Sequence, residues 1–241
     1  PVAVWAWNAM IAAVCGDVII WKPSSKVPLT AIAVQKIVAK VLKEYNMPEG
    51  IFNLLIGKGS TIGEKLINDK RIPLISLTGS TQVGKHTAEV VARRLGRTIL
   101  ELGGNNAIII TPEADLNMAL PAVVFGAVGT AGQRCTTTRR LIIHEKVYPT
   151  FVQALKTAYS GLKIGNPMEE SNHVGPLVDK NAVKLFTDVL NRLQSMKAHI
   201  IYGGKLLEGQ EYRSGCYVVP ALVEAENSWE IIQQETFAPI L

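Results

Sequence analysis

Pro73-Leu74-Ile75-Ser76-Leu77, then Thr78-Gly79-Ser80-Thr81-Gln82-Val83-Gly84-Lys85, then Thr98-Ile99-Leu100-Glu101-Leu102 are successive pieces of one folding unit, and their order decides the fold. The first run reads as a strand. The second is a turn opening a helix over Val83–Leu95, and the third is another strand. Two strands joined by a helix-length crossover pair in parallel. The same alternation runs upstream, with strands at Val18–Trp21 and Ile51–Ile56 and helical spacing over Leu29–Leu42 and Thr61–Asn68. After Gly104 the pattern restarts, with strands at Asn106–Ile110, Arg140–His144 and His199–Tyr202. A helix opened by Asp115 and helices at Tyr148–Leu162 and Lys180–Met196 separate them. These runs predict an α/β fold, a doubly wound parallel (Rossmann-like) domain over 1–103 followed by a second α/β domain over 104–241.

Composition excludes several classes. The 241 residues are 48% hydrophobic and 19% charged, so the chain is neither disordered nor fibrous. The net charge of +5 is spread over scattered lysines and arginines, so no nucleic-acid surface is indicated. No run is long and apolar enough for a membrane span. Three cysteines are too few and too scattered for a disulfide framework or a metal site, and suit a reducing compartment. The chain starts without methionine and stops in an apolar run, which reads as a piece of a longer protein.

Three constellations carry chemistry. Gly79 to Lys85 matches most of a phosphate-binding loop, where glycines and a helix N-terminus present N–H groups to an anion. His86 stands where a Ser or Thr would hold magnesium, which counts against a nucleotide triphosphatase; a plain tight turn is the other reading. Cys135 lies in the small, polar run Gly129-Thr130-Ala131-Gly132-Gln133-Arg134-Cys135-Thr136-Thr137, behind a basic side chain of the kind that favours a thiolate. A lone cysteine is ordinarily a small buried hydrophobe, and Cys15, after Ala12-Ala13-Val14, reads as that case. Cys216 sits in a turn-like Ser214-Gly215-Cys216. Glu101 is a carboxylate inside an apolar strand, costly to bury unless paired, with Gly103-Gly104 leaving room for another group. A surface-facing strand glutamate is the alternative. A thiol nucleophile and a carboxylate that activates water suffice to make and hydrolyse a thioester. Asn8, beside Trp5 and Trp7, is either a helix N-cap or a donor to an oxyanion. A phosphate-loop nucleotide-binding protein remains a rival reading. So does a cysteine hydrolase, although His86, His144, His173 and His199 fall in no nucleophile–base pattern.

Six segments in order resemble the aldehyde dehydrogenase superfamily across the whole chain. They are Trp7-Asn8, Trp21-Lys22-Pro23-Ser24, Thr78 to Gly84, Glu101-Leu102-Gly103-Gly104-Asn105, Gly132-Gln133-Arg134-Cys135 and Glu235-Thr236-Phe237-Ala238-Pro239. The variants around Glu101 and Cys135 are similar to the antiquitin-like branch, which oxidises α-aminoadipic semialdehyde. The resemblance implies a dinucleotide-binding domain over 1–103 and a catalytic domain over 104–241, both incomplete, and an isolated piece that is a poor catalyst. It makes Cys135 the nucleophile, Glu101 the base for thioester hydrolysis, and Asn8 with the Cys135 N–H the oxyanion donors. Lys22 would hold the adenosine ribose, Gly79 and Ser80 would lie by the pyrophosphate and nicotinamide, and Glu235 would hold the nicotinamide ribose with Phe237 beside it. Trp7, Ser25, Gly84 and Leu102 complete the implied cofactor set. Ser25 stands where many NAD-preferring relatives carry a glutamate that repels a 2′-phosphate, so the expected cofactor is NAD with NADP admitted. Arg134 would pair with a distal carboxylate of the substrate, or else only brace its loop. The further expectations are a small-molecule aldehyde substrate, no metal, no nucleic acid or membrane partner, and a parent homo-oligomer (dimer or tetramer). The implied location is cytoplasmic, or mitochondrial in a eukaryote.

Overall fold

Parallel pairing follows wherever a helix-length crossover joins two strands. The computed structural model describes residues 2–241, which divide into two compact units between Leu102 and Gly103. In the first unit, α1 (Val2–Val14) leads to β1 (Ile19–Trp21), α2 (Pro28–Glu44) and β2 (Phe52–Leu54). β1 and β2 are parallel, with Ile19 opposite Phe52. A π-helical turn at Gly59–Gly63 runs into α3 (Glu64–Asn68), followed by β3 (Leu74–Thr78), α4 (Thr81–Arg93) and β4 (Arg97–Glu101). β3 and β4 pair in parallel from Leu74–Arg97 to Thr78–Glu101. Ser80 starts α4 because its Oγ accepts the Val83 N–H at 3.3 Å, a Ser N-cap satisfying one of the orphan donors of the first turn. Pro28 opens α2, where its missing N–H costs nothing. The Trp5 and Trp21 rings stack with centroids 4.1 Å apart, pinning α1 to β1.

The second unit contains β5 (Asn106–Ile110), α5 (Leu116–Val128), a 3₁₀ turn at Gly129–Gly132, and β6 (Thr138–Ile143). It continues through α6 (Tyr148–Ser160), α7 (Lys180–Ser195), β7 (His199–Tyr202), β8 (Leu222–Glu224) and α8 (Glu230–Gln233). Asp115 caps α5 by accepting from Asn117 and Met118, and Asp179 caps α7 by accepting from Ala182. β5 and β6 are parallel with one irregularity: Asn106 faces Thr138 but Ala107 faces Arg140. Arg139 is thus the extra residue of a β-bulge. The core is built from one face each of α5, α6 and α7 on β5 and β8, with Val123, Phe151, Leu155, Tyr159, Phe186, Leu190, Ile110 and Ala221 all buried.

Two sequence expectations need correction. Asn8 is not a cap, because α1 begins at Val2 and passes straight through it. Cys15, expected in the core, is exposed. α1 is apolar all round, so its sequence carries no mark of which face is buried, and Ala9 is the one fully buried residue among its described positions. β7 and β8 pair antiparallel; the long connection between them, 203–221, carries no crossover helix of the kind that parallel pairing needs.

Candidate active site

In the first unit Lys22, Ser25, Gly79, Ser80 and Leu102 follow the carboxyl ends of parallel strands, where open α/β sheets bind ligands, while Trp7 lies on α1 and Gly84 on α4. Lys22 and Ser25 follow β1. Thr78 ends β3 with Gly79 after it, and Glu101 ends β4 with Leu102 after it. The Gly79 N–H donates to the Glu101 carbonyl at 3.1 Å, tying the two strand ends together. A Cβ built on Gly79 would meet open space, whereas one on Gly84 would overlap Leu102. Gly79 therefore leaves room over the α4 N-terminus, and Gly84 serves helix-to-strand packing. Neither has a positive φ, so the loop does not form the left-handed nest of a phosphate loop, and His86 is taken by Glu64 at 2.9 Å. That geometry disfavours the nucleotide triphosphatase reading. Lys22 is half-buried, its Nζ donates to the Pro23 carbonyl at 2.8 Å, and burial pulls its pKa down. Trp7 is 59% exposed, and Ser25 is exposed. Asn8 donates one amide N–H to Ser76 Oγ on β3 at 3.1 Å, and an amide carries two such donors. An open strand end and free space at Gly79, with the Lys22 amine after the carboxyl end of β1, fit a dinucleotide.

The second unit holds Cys135 at the tip of a turn. The Thr137 N–H donates to the Arg134 carbonyl at 3.2 Å, and the Arg134 N–H donates to Thr137 Oγ1 at 3.1 Å. Cys135 and Thr136, the two central residues, are both exposed. The approach to this turn is unusual. Thr130, Ala131 and Gly132 all have positive φ (55°, 51° and 68°), a conformation that non-glycine residues adopt at a cost. Gly132 is required on two counts, because a Cβ there would also lie within 2.5 Å of the Ala238–Pro239 backbone. Gly132→Ala should therefore destabilise the protein by about 2–4 kcal/mol. Equilibrium denaturation measures this, and a change near zero would contradict the packing described.

Arg134 folds back over its own segment. Its Nε donates to Thr130 Oγ1 at 2.8 Å and its guanidinium lies 5.0 Å over the Phe125 ring, so bracing of the loop is part of its role. Glu235 and Phe237 converge on one side chain that sequence reasoning missed, Arg139. Its guanidinium pairs with Glu235 Oε1 at 3.2 Å and lies 5.3 Å from the Phe237 ring centre. It also donates to the carbonyls of Arg134 at 2.9 Å, Gly132 at 3.2 Å, Gly104 at 3.4 Å and Thr236. Burial lowers the Arg139 pKa, while the charges of Glu235 and Cys135 push it back up. Asn106, also missed, donates to the Cys135 and Thr137 carbonyls at 2.7 and 3.0 Å. The signal in sequence was slight: a polar run, Thr137-Thr138-Arg139, that breaks strand alternation. His144 and His173 accept backbone N–H groups and His199 pairs with Glu224; among the described residues no hydrogen bond or ion pair links any of the three to Cys135, as a cysteine hydrolase would require. No described helix is long and apolar enough to cross a membrane.

The sequence profile of the aldehyde dehydrogenase family matches residues 1–241. The chain is 44% identical over 241 residues to aldehyde dehydrogenase family 7 member A1 of Pisum sativum, covering all of this chain and 46% of that protein. It is 45% identical over 242 residues to alpha-aminoadipic semialdehyde dehydrogenase of Bos taurus, covering 100% of this chain and 44% of that protein. Betaine aldehyde dehydrogenase of Staphylococcus aureus, solved in complex with NAD+, superimposes with a TM-score of 0.86 at 29% identity, over 93% of this chain and 44% of that one. The chain thus spans about half the length of the relatives it matches. With a Rossmann-like α/β fold, a family profile matched from end to end and an exposed cysteine at the tip of a cross-braced turn, this chain belongs to the aldehyde dehydrogenase family.

Proposed function

We propose that the protein carrying this chain oxidises an aldehyde to a carboxylic acid with NAD, through a covalent intermediate on Cys135. One observation carries the reading: the Arg134–Thr137 turn presents an exposed thiol in a chain of this family. Residues 1–103 serve as the cofactor domain and 104–241 as the catalytic domain.

The Cys135 thiolate adds to the aldehyde carbon, and the carbonyl electron pair moves onto oxygen. The backbone N–H of Cys135 and the second amide N–H of Asn8 hold that oxyanion. NAD, when bound, supplies the acceptor for the hydride that leaves the same carbon. Collapse of the oxyanion leaves a thioester on Sγ. Glu101 takes a proton from water as the water attacks the thioester carbon, Cys135 departs as thiolate, and the acid is released. Lys22, Ser25, Gly79, Ser80 and Glu235 bind and orient the cofactor, with Trp7, Gly84, Leu102 and Phe237 shaping its surroundings. Ser25 brings no negative charge against a 2′-phosphate, so NADP is discriminated against only weakly. On family resemblance alone the complete protein is a homo-oligomer, of the cytoplasm or the mitochondrion.

The substrate is a semialdehyde bearing a carboxylate, with α-aminoadipic semialdehyde as the leading candidate. The relative of that name at 45% identity supports it, as does Arg134, whose Nε alone is spent on Thr130. The test is NADH formation by the complete protein with this aldehyde and with a neutral aliphatic one. Arg134→Met should lower kcat/KM about tenfold or more for the charged aldehyde, a loss of about 1.4 kcal/mol, and much less for the neutral one. An equal fall for both would assign Arg134 to bracing the turn, and no turnover of either aldehyde would overturn the function.

A further inference from the structure

We propose that Arg139 is a positioning residue which fixes the Glu235 carboxylate and the Cys135 turn in one rigid frame, and so sets the affinity for the cofactor's ribose. The proposal rests on the function stated above. Its basis is geometric. The β-bulge gives β6 one residue more than its partner strand, and two consecutive residues, Thr138 and Arg139, become buried where alternation would bury one. Bulges re-aim side chains next to functional sites, and here the side chain turned inward is a guanidinium, whose planar fork serves several acceptors at once. Its side chain is 3% exposed, against 22% for Glu235.

Division of labour follows from the partners. The carbonyls of Gly132 and Arg134 belong to the segment that carries Cys135. The Thr236 carbonyl and the Glu235 carboxylate belong to the segment implied to meet the nicotinamide ribose. Arg139 donates to both. Glu235 Oε1 is taken by Arg139, and Oε2 sits where a Cβ on Gly103 would be. One carboxylate oxygen is thus fixed and the other is left against bare backbone as an acceptor for a sugar hydroxyl. A lysine at 139 keeps the charge but offers its three donors from one nitrogen and loses the planar five-donor fork that spans both segments.

The experiment is a double-mutant cycle on the complete protein, using Arg139→Lys, Glu235→Gln and both together, with NAD dissociation constants from titration calorimetry and folding from thermal melts. Each single change should raise Kd for NAD about tenfold, about 1.4 kcal/mol. The double variant should be no weaker than the weaker single one, because one chain of contacts is broken twice. Unchanged NAD affinity in Arg139→Lys would overturn the proposal. Independent, multiplying losses would do so too. Failure of Arg139→Lys to fold while Glu235→Gln folds normally would reduce Arg139 to a structural role and also count against it. Failure of the underlying function looks different: the unmutated protein would then neither bind NAD nor form NADH with an aldehyde.

Discussion

Cys135→Ala should cut aldehyde oxidation by the complete protein by a factor on the order of 10⁴ or more, the scale seen when a covalent nucleophile is removed. Cofactor binding should survive nearly intact. Cys135 lies at the tip of a turn whose hydrogen bonds are made by the Thr137 hydroxyl and by backbone groups, and the Asn106 and Arg139 links to it end on carbonyl oxygens. None of these contacts uses the thiol as donor or acceptor, so the substitution removes the reacting atom and leaves its scaffold. Measuring NADH formation beside NAD titration separates the two effects. Turnover at the level of the unmodified protein would remove Cys135 from the mechanism.

Glu101→Gln should give a different signature. If the carboxylate serves water rather than the hydride step, the variant should form NADH in a rapid burst of about one equivalent and then turn over slowly. The steady rate should fall by about 10²–10⁴, the usual contribution of a general base. Glutamine keeps the shape of the side chain at the end of β4, where Glu101 is half-buried, so the loss should be chemical rather than structural. Stopped-flow absorbance resolves the burst. A slow first turnover with no burst would place Glu101 before thioester formation.

Much of the fold is legible because local signals agree with one another. Asp115, Asp179 and Ser80 each precede a helical run and each caps it, and the predicted strands fall within a few residues of their observed ends. The failures share a cause. α1 has no polar face, so nothing in Val2–Val14 distinguishes the side that meets β1 from the side that carries Cys15 and Trp7. The antiparallel β7–β8 pair depends on a long connection whose return path is not written in periodicity. In the site, Cys135 is legible because its neighbours are small and polar. Arg139 is not, because its importance comes from partners far along the chain at Glu235, Thr236 and Phe237. Two adjacent arginines in a strand look alike in sequence. Only the bulge separates Arg139, turned inward, from Arg140, whose guanidinium reaches the Asn105 carbonyl at 3.1 Å.

Because β6 acquires its inward arginine from one surplus residue, the stretch from Cys135 to Arg140 is sensitive to count more than to composition. Thr136 is exposed and can be exchanged for other small polar residues with little consequence. A single-residue deletion between the nucleophile and the strand would instead erase the bulge, and with a period of two the following side chains would trade faces. An insertion would slide the thiol away from the carbonyl anchors that hold its turn. Length variation in this family branch should therefore be absent from that stretch and accumulate elsewhere, as in the exposed loop around Glu208–Arg213. Engineered tags or linkers belong there for the same reason.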